Sequence, residues 1–388
     1  MPHPILFGRR IHIAGSVCKD LSMASTETVL QARGFVEGLV TELVRQGACF
    51  VIPVDEEKPR DSDGQPACFD WLVWQTLQRK LHTRPAGAPI PLAIAVQHYK
   101  NEDQIPTQYT DMWDELRGSD LVQIDNAAQW DMASKRMDMQ ASHGDILITL
   151  GGGEGVLHLA NRYHDSGKPV IPLNFKLCPP GTGSLRLFEF GLSSSNSSEL
   201  FRTDGQTSPH GWINRINFTQ RHDIPHKVRE VIGLLESLEP PTAFCVRLLN
   251  PGADDFNDVE EYFETVLKPV VEGELRYKMI VVDGAQPNEF SRIDQEIFNK
   301  LHRSRVVLVD ITGARPNCFI ELGYALGRPL PTMLLAKEGT DHPFDIKSLS
   351  GHHWKQKDSA HSKKEAFRSY WQANINRPPL VPVEPLIR

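Results

Sequence analysis

A chain of 388 residues with 40% hydrophobic content is too long for one ordinary α/β domain and has enough apolar side chains for two cores. A net charge of −7 without a long Lys/Arg run leaves no electrostatic footprint for nucleic acid. The six cysteines (Cys18, Cys49, Cys68, Cys178, Cys245, Cys318) show neither CxxC nor CxxH spacing and read as reduced thiols, while no apolar stretch is long enough for a signal peptide or membrane span. The expected protein is soluble and cytoplasmic, with no metal, no membrane and no nucleic-acid partner.

In chain order, Ile11 to Ala14 is a short strand, residues 26 to 46 carry helical periodicity through Val29, Phe35, Leu39 and Leu43, and Cys49 to Val54 is a second strand. Residues 55 to 68 are charged and turn-rich, which predicts an exposed loop before a helix from Trp71 to Leu81. Strands follow at Pro91 to Gln97, more weakly at Leu121 to Ile124, at Ile146 to Leu150 and at Lys168 to Leu173. The stretch 178 to 212, rich in Gly, Ser, Pro and Thr, predicts a long loop, and residues 226 to 238 an amphipathic helix. After a hinge at Glu239-Pro240-Pro241 the rhythm restarts: strand 243 to 249, helix 259 to 271, strand 277 to 282, helix 292 to 301, strand 305 to 310, a helix carrying Glu321, and strand 331 to 335. From Lys355 the chain is charged, then Pro-rich, and predicts a terminal helix plus an extended arm. The expected class is α/β: two Rossmann/flavodoxin-like parallel-sheet domains over 1–238 and 242–354, joined by a short Pro-containing hinge, with a tail over 355–388.

Two turns in the first domain suit a phosphate. Gly15-Ser16 follows the first strand, and Gly151 to Gly155 links a strand to a helix, where glycines admit close approach of backbone N–H groups to an anion. By spacing alone, steric packing accounts for such glycines equally well. The run Ser142 to Val156, with Arg136 upstream and Gly167-Lys168-Pro169-Val170 downstream, resembles the SLOG superfamily, which includes the LOG phosphoribohydrolases. In LOG enzymes the loop reads PGGxGTxxE; here Val156 stands at the threonine position and Leu159 at the glutamate position. The resemblance therefore implies a domain that binds a nucleotide signal, of the cyclic ADP-ribose type, without cleaving it. It makes Gly15, Ser16, Arg136, Gly152 and Gly153 ligand contacts and sets Glu154 at the rim.

In the second domain, β-branched Arg305-Val306-Val307-Leu308-Val309 reads as a buried strand ending at Asp310, and Asn317 reads as the N-cap of the next helix. The spacing 317, 321, 324 sets Asn317, Glu321 and Tyr324 on one face, with Phe319, Leu322 and Leu326 toward the sheet. An ionised carboxylate there suits N-glycosidic cleavage, because positive charge develops at the anomeric carbon. The runs Phe244 to Leu249, Ile293 to Ile297, Asp310 to Ala325 and Pro343 to Ile346 resemble the nucleoside deoxyribosyltransferase-like and TIR-like families, in which the glutamate of the ELGYA-like segment is catalytic. The resemblance makes Glu321 the catalytic carboxylate. Asp310 would bind ribose hydroxyls or orient Glu321, and Asn317 would fix a sugar oxygen. Arg247 reads as a phosphate contact or a surface ion pair, Tyr324 as base stacking or packing, Asp345 as a cap or pocket closure. The adjacent His352-His353 reads as solvated.

The preferred reading is a signal-regulated NAD⁺ glycohydrolase of antiviral defence, with NAD⁺ as substrate rather than cofactor, acting as a homo-oligomer. The alternatives are a nucleoside or deoxynucleotide N-glycosidase or deoxyribosyltransferase, and a non-catalytic signalling adaptor.

Overall fold

The computed structural model describes residues 4–18, 24–60, 64, 66–97, 105–127, 132–203, 210–219, 221–238, 240–282, 293–328, 330–341, 346 and 349–377. Two compact units divide at Pro240, and each is an α/β unit built on an all-parallel sheet.

The first unit runs β1 (Arg10–Ser16), α1 (Thr26–Arg45), β2 (Cys49–Pro53), α2 (Asp70–Lys80), β3 (Ala93–Gln97), α3 (Thr110–Arg117), β4 (Val122–Asn126), α4 (Met132–His143), β5 (Ile146–Gly151), α5 (Glu154–Asp165) and β6 (Val170–Leu173). Then come α6 (Gly183–Ser193), α7 (Ser197–Leu200), α8 (Gly211–Arg215) and α9 (Ile224–Ser237). The sheet order is β4-β3-β2-β1-β5-β6, so winding reverses between β1 and β5 and opens a crevice above their carboxyl ends. Ser25 caps α1 through the Thr28 N–H, and Val29, Ala32, Phe35, Val36, Leu39, Val40, Leu43 and Val44 form its buried stripe.

Two expectations are corrected in this unit. The 178 to 212 stretch is largely helical because its small residues let α6 lie tight on the sheet: buried Ser184 exchanges hydrogen bonds with Thr149 and Leu173, and Phe201 and Trp212 fill the core. The 55 to 68 stretch is not simply exposed. Arg60 is 1% exposed and donates to the Ala24 carbonyl at 2.8 Å, burying a guanidinium where charge alone predicted solvent.

The second unit runs β7 (Thr242–Val246), α10 (Phe256–Tyr262), β8 (Lys278–Ile280), α11 (Ile293–Arg303), β9 (Val306–Asp310), α12 (Pro316–Leu326), β10 (Thr332–Lys337), β11 (Gly351–Trp354) and α13 (Ala360–Asn374). Beyond α10 the helix continues through wide turns at Phe263–Leu267 and Pro269–Glu274, where Pro269 has no N–H to donate. The order β11-β10-β9-β7-β8 is flavodoxin-like, with its switch point between β7 and β9. Every residue of β9 is buried, as its β-branched run predicts.

The histidines at 352 and 353 lie in β11, where His353 is exposed as expected and His352 is partly buried. The His352 ring lies 5.4 Å from that of Tyr370 and 6.4 Å from that of Tyr262, and burial pushes its imidazolium down to about 4. Nor is α13 an appendage: Phe367 and Trp371 are buried in the same core as Leu308 and Leu335. Trp371→Ala should therefore cost about 3–5 kcal/mol in denaturant unfolding of the second unit. A loss under about 1 kcal/mol would mean that this helix is not part of the core.

Candidate functional site

The second unit places Glu321 on the second turn of α12, the helix that leaves β9 at the switch point. The helix begins two residues earlier than expected. Arg315 is its N-cap and Pro316 its first residue, because proline's fixed φ suits that position and its missing N–H costs no hydrogen bond there. Asn317 is exposed on the first turn, one helical turn before Glu321. Gly313 (φ 79) and Ala314 (φ 47) adopt left-handed conformations in the turn between β9 and α12.

Glu321 is half-buried and makes no hydrogen bond or ion pair among the described residues. Loss of hydration alone raises its carboxyl from 4.5 to about 7. Asp310 is different in kind. It is fully buried, its Oδ1 accepts from the Thr312 N–H at 2.9 Å, and its Oδ2 accepts from Trp354 Nε1 at 3.0 Å. With both oxygens engaged it meets no sugar hydroxyl; it fixes the loop that starts α12. Burial is also what raises its carboxyl, against those hydrogen bonds.

Arg247 pairs with Glu260, and its guanidinium lies 5.2 Å over the Phe263 ring, so it serves packing. Tyr324 bonds His302 Nδ1 through its hydroxyl at 2.9 Å and packs on Phe298, which ties α12 to α11. Asp345 lies outside the described residues. Of the residues expected here, Glu321 and Asn317 remain open to a ligand.

In the first unit the glycines knit the floor of the crevice. A Cβ on Gly15 would lie 1.8 Å from the Leu150 carbonyl oxygen, and one on Gly183 (φ 46) would lie 2.1 Å from that of Gly152. Gly152 (φ 73) is buried and spends its N–H on the Ser16 carbonyl at 2.7 Å. The Ser16 carbonyl accepts also from Cys178 Sγ at 3.4 Å. Gly15, Ser16 and Gly152 thus join β1 to β5. Gly153 and Glu154 are exposed at the start of α5, and a Cβ on Gly153 would meet nothing within 4 Å. At this helix start the Val156 and Leu157 N–H groups donate to the Gly153 carbonyl at 3.1 and 3.4 Å, and a helix N-terminus favours an anion. Val156 and Leu159 are buried, so this helix brings no carboxylate inward.

Arg136, on α4, binds Asp55 at 2.5 Å. Nearby stands a residue that the sequence reading missed. Asp70, the first residue of α2, is half-buried and without a hydrogen bond or ion pair among the described residues. Desolvation raises its carboxyl to about 7, opposed by Arg136 and assisted by Asp55 and Glu57. The available signal was Asp55, an acid just past the end of β2, next to the strand that carries the glycine turn. Among the described residues no group of three or more His, Cys, Asp or Glu is placed to hold a metal, and no helix is long and apolar enough to cross a membrane.

The family described as "ATP nucleosidase Cap17-like, N-terminal" matches residues 6–235. No curated protein matches the chain. Among solved structures, the X-ray structure of TM1055 aligns at 15% identity over 47% of this chain and 81% of its own, with a TM-score of 0.29, a likeness too low to carry argument.

Two outcomes test these sites. Gly15→Ala should cost about 3 kcal/mol or more and Gly153→Ala under about 1 kcal/mol in denaturant unfolding, since one Cβ strikes a carbonyl and the other enters open space. For Glu321, the unfolded chain ionises near 4.5 and the folded chain near 7. The protonated form is therefore favoured by folding, and its contribution is lost as pH rises from 4.5 through about 7. Glu321→Gln should exceed the wild type by about 1–2 kcal/mol at pH 8, after allowance for solvent screening, and match it near pH 4. Equal stability at both pH values would show that the carboxyl is not held away from water.

Proposed function

The chain belongs to the Cap17-like ATP nucleosidase family through its N-terminal domain, and on that premise we propose that it hydrolyses the base–ribose bond of a nucleotide with Glu321 as the catalytic carboxylate. The observation that carries this reading is the unpartnered, poorly hydrated carboxyl of Glu321 beside the switch point of the second sheet. As the C–N bond breaks, the base departs with the electron pair and positive charge grows on the anomeric carbon. A carboxylate in a water-poor site stabilises that charge more than it stabilises the neutral sugar. Water then adds to the carbon, one of its protons leaving to solvent or base. Asn317, one helical turn away, is proposed to hold a sugar oxygen, and Asp310 to act through the α12 loop as a positioning residue.

The family description favours ATP, with adenine as the leaving base. A second reading, NAD⁺ with nicotinamide leaving, is favoured by the likeness of the 310–325 segment to deoxyribosyltransferase-like and TIR-like sequences. In both, the first domain is proposed as the nucleotide receptor that regulates cleavage, supported by its glycine crevice and by Leu159 where the LOG families place a glutamate. Antiviral defence and activation by oligomerisation belong to the same proposal.

Incubation of the purified chain with ATP, and separately with NAD⁺, tests it by chromatography of released base, with and without cyclic ADP-ribose isomers. Base release is expected, and Glu321→Gln and Glu321→Ala should each lower it by at least about a hundredfold. Because the anion is the working form, kcat/KM should rise about tenfold from pH 6 to pH 8 and then level. Full activity in Glu321→Gln would remove the assignment. Activity falling over that range would make the residue an acid instead.

A further inference from the structure

Two cysteines beside the crevice of the first unit have no part in the function proposed above. Cys18 lies two residues past the end of β1, and Cys178 lies in the segment between β6 and α6. Two contacts draw them together. The Cys18 N–H donates to the Leu177 carbonyl at 3.0 Å, which sets residue 18 beside residue 178, and Cys178 Sγ donates to the Ser16 carbonyl at 3.4 Å. The Cys178 sulfur is thereby held over the glycine turn, and a Cβ on Gly151 would lie 3.5 Å from it. Burial raises the Cys178 thiol above its ordinary value, and the Cys18 thiol, in hydrogen-bonding contact with it, raises it further against the N–H groups of Gly152 and Cys18. Neither cysteine is in a disulfide.

The two thiols differ in reach. Cys178 is 7% exposed whereas Cys18 is partly exposed, so an oxidant arriving from solvent meets Cys18 first. A sulfenic acid formed there already has a second thiol against it, which is the arrangement that turns oxidation into a reversible bond. Cys49, Cys245 and Cys318 are buried in β2, β7 and α12, away from this strand end. Cys68 is the competitor: it bridges Ser16, and burial pushes its thiol up to about 12.

We propose that Cys18 and Cys178 are a redox pair, joined by a hydroperoxide into a disulfide that ties the end of β1 to the segment entering α6 and fixes the rim of the glycine crevice. The Cys18 thiolate attacks one peroxide oxygen, the O–O bond breaks, and the departing hydroxide takes up a proton and leaves as water. The Cys178 sulfur, giving up its proton, then attacks the sulfur of the Cys18 sulfenic acid; the S–O bond breaks and a second water leaves. Two thiols lose two electrons, and the peroxide is reduced to two waters. A thiol reductant reverses the step by exchange. The pair acts whichever nucleotide the crevice receives, so the inference stands apart from that reading.

Hydrogen peroxide titrated onto the reduced full chain, followed by peptide mapping without reductant, tests the pair. A linked species carrying Cys18 and Cys178, lighter than the two reduced peptides by two hydrogen atoms, should form and should disappear on addition of dithiothreitol. In Cys178→Ser the Cys18 sulfenic acid should persist and be trapped by dimedone; absence of that adduct overturns the assigned order of attack. Hydrogen exchange in peptides spanning 13–18 and 174–183 should slow by at least about tenfold in the oxidised chain. Linkage of Cys18 to Cys68, or Cys18 and Cys178 both still alkylated by iodoacetamide after excess peroxide, overturns the pair. A disulfide that leaves exchange unchanged overturns the fixing of the rim. Mapping of the wild type decides the pair even if the variant fails to fold.

Discussion

A carboxyl group deprived of water and without a hydrogen bond is the constraint on which the candidate site of the second unit depends, and it has a counterpart in the first. Glu321 and Asp70 both meet it, and desolvation is the main cause in both. Folding opposes such a group in its charged form, so the surrounding structure must hold it there. In the second unit that support is the buried strand β9 and the turn that Asp310 fixes through Thr312 and Trp354. The contrast between Asp310 and Glu321 is instructive: both are enclosed carboxyls, but one has its oxygens engaged by donors and the other has none.

Sheet topology decides where these groups stand. In both units the strand order reverses beside the first strand, and helices that leave the neighbouring strand begin at the crevice. For α12 this puts a polar helix face at the carboxyl ends of β7 and β9. For α5 it puts the exposed residues Gly153 and Glu154 just past the end of β5. Glycine then sets the approach distance: the floor between β1, β5 and α6 is so tight that Gly15, Gly151, Gly152 and Gly183 are required by contact with neighbouring backbone or side chains. These glycines serve close contact, and Gly152 spends its own N–H on the Ser16 carbonyl.

Charged side chains near a site divide by what they touch. Arg247, which stands at a strand end as a phosphate-binding residue would, is occupied by Glu260 and the Phe263 ring. Arg136 is likewise closed on an acid. A ligand that used either would have to displace a carboxylate, whereas Glu321 and Asp70 lose no partner when a ligand arrives.

The sequence by itself determined the α/β class, the strands whose residues are buried on both faces and the amphipathic helices, because apolar periodicity is a local property that burial directly enforces. It also located Glu321, since a helix after a buried strand must begin near the carboxyl edge of the sheet. Tertiary structure alone decided the rest. The helices within 178–212 and strand β11 carry weak local signals and exist because Ser184 and Trp354 find partners far away in the chain. Whether a polar residue near a site is free or engaged was decided in the same way. Asp310 was turned inward by Trp354, and Asp70 stayed out of sight because an aspartate's solvation depends on neighbours that no local pattern encodes.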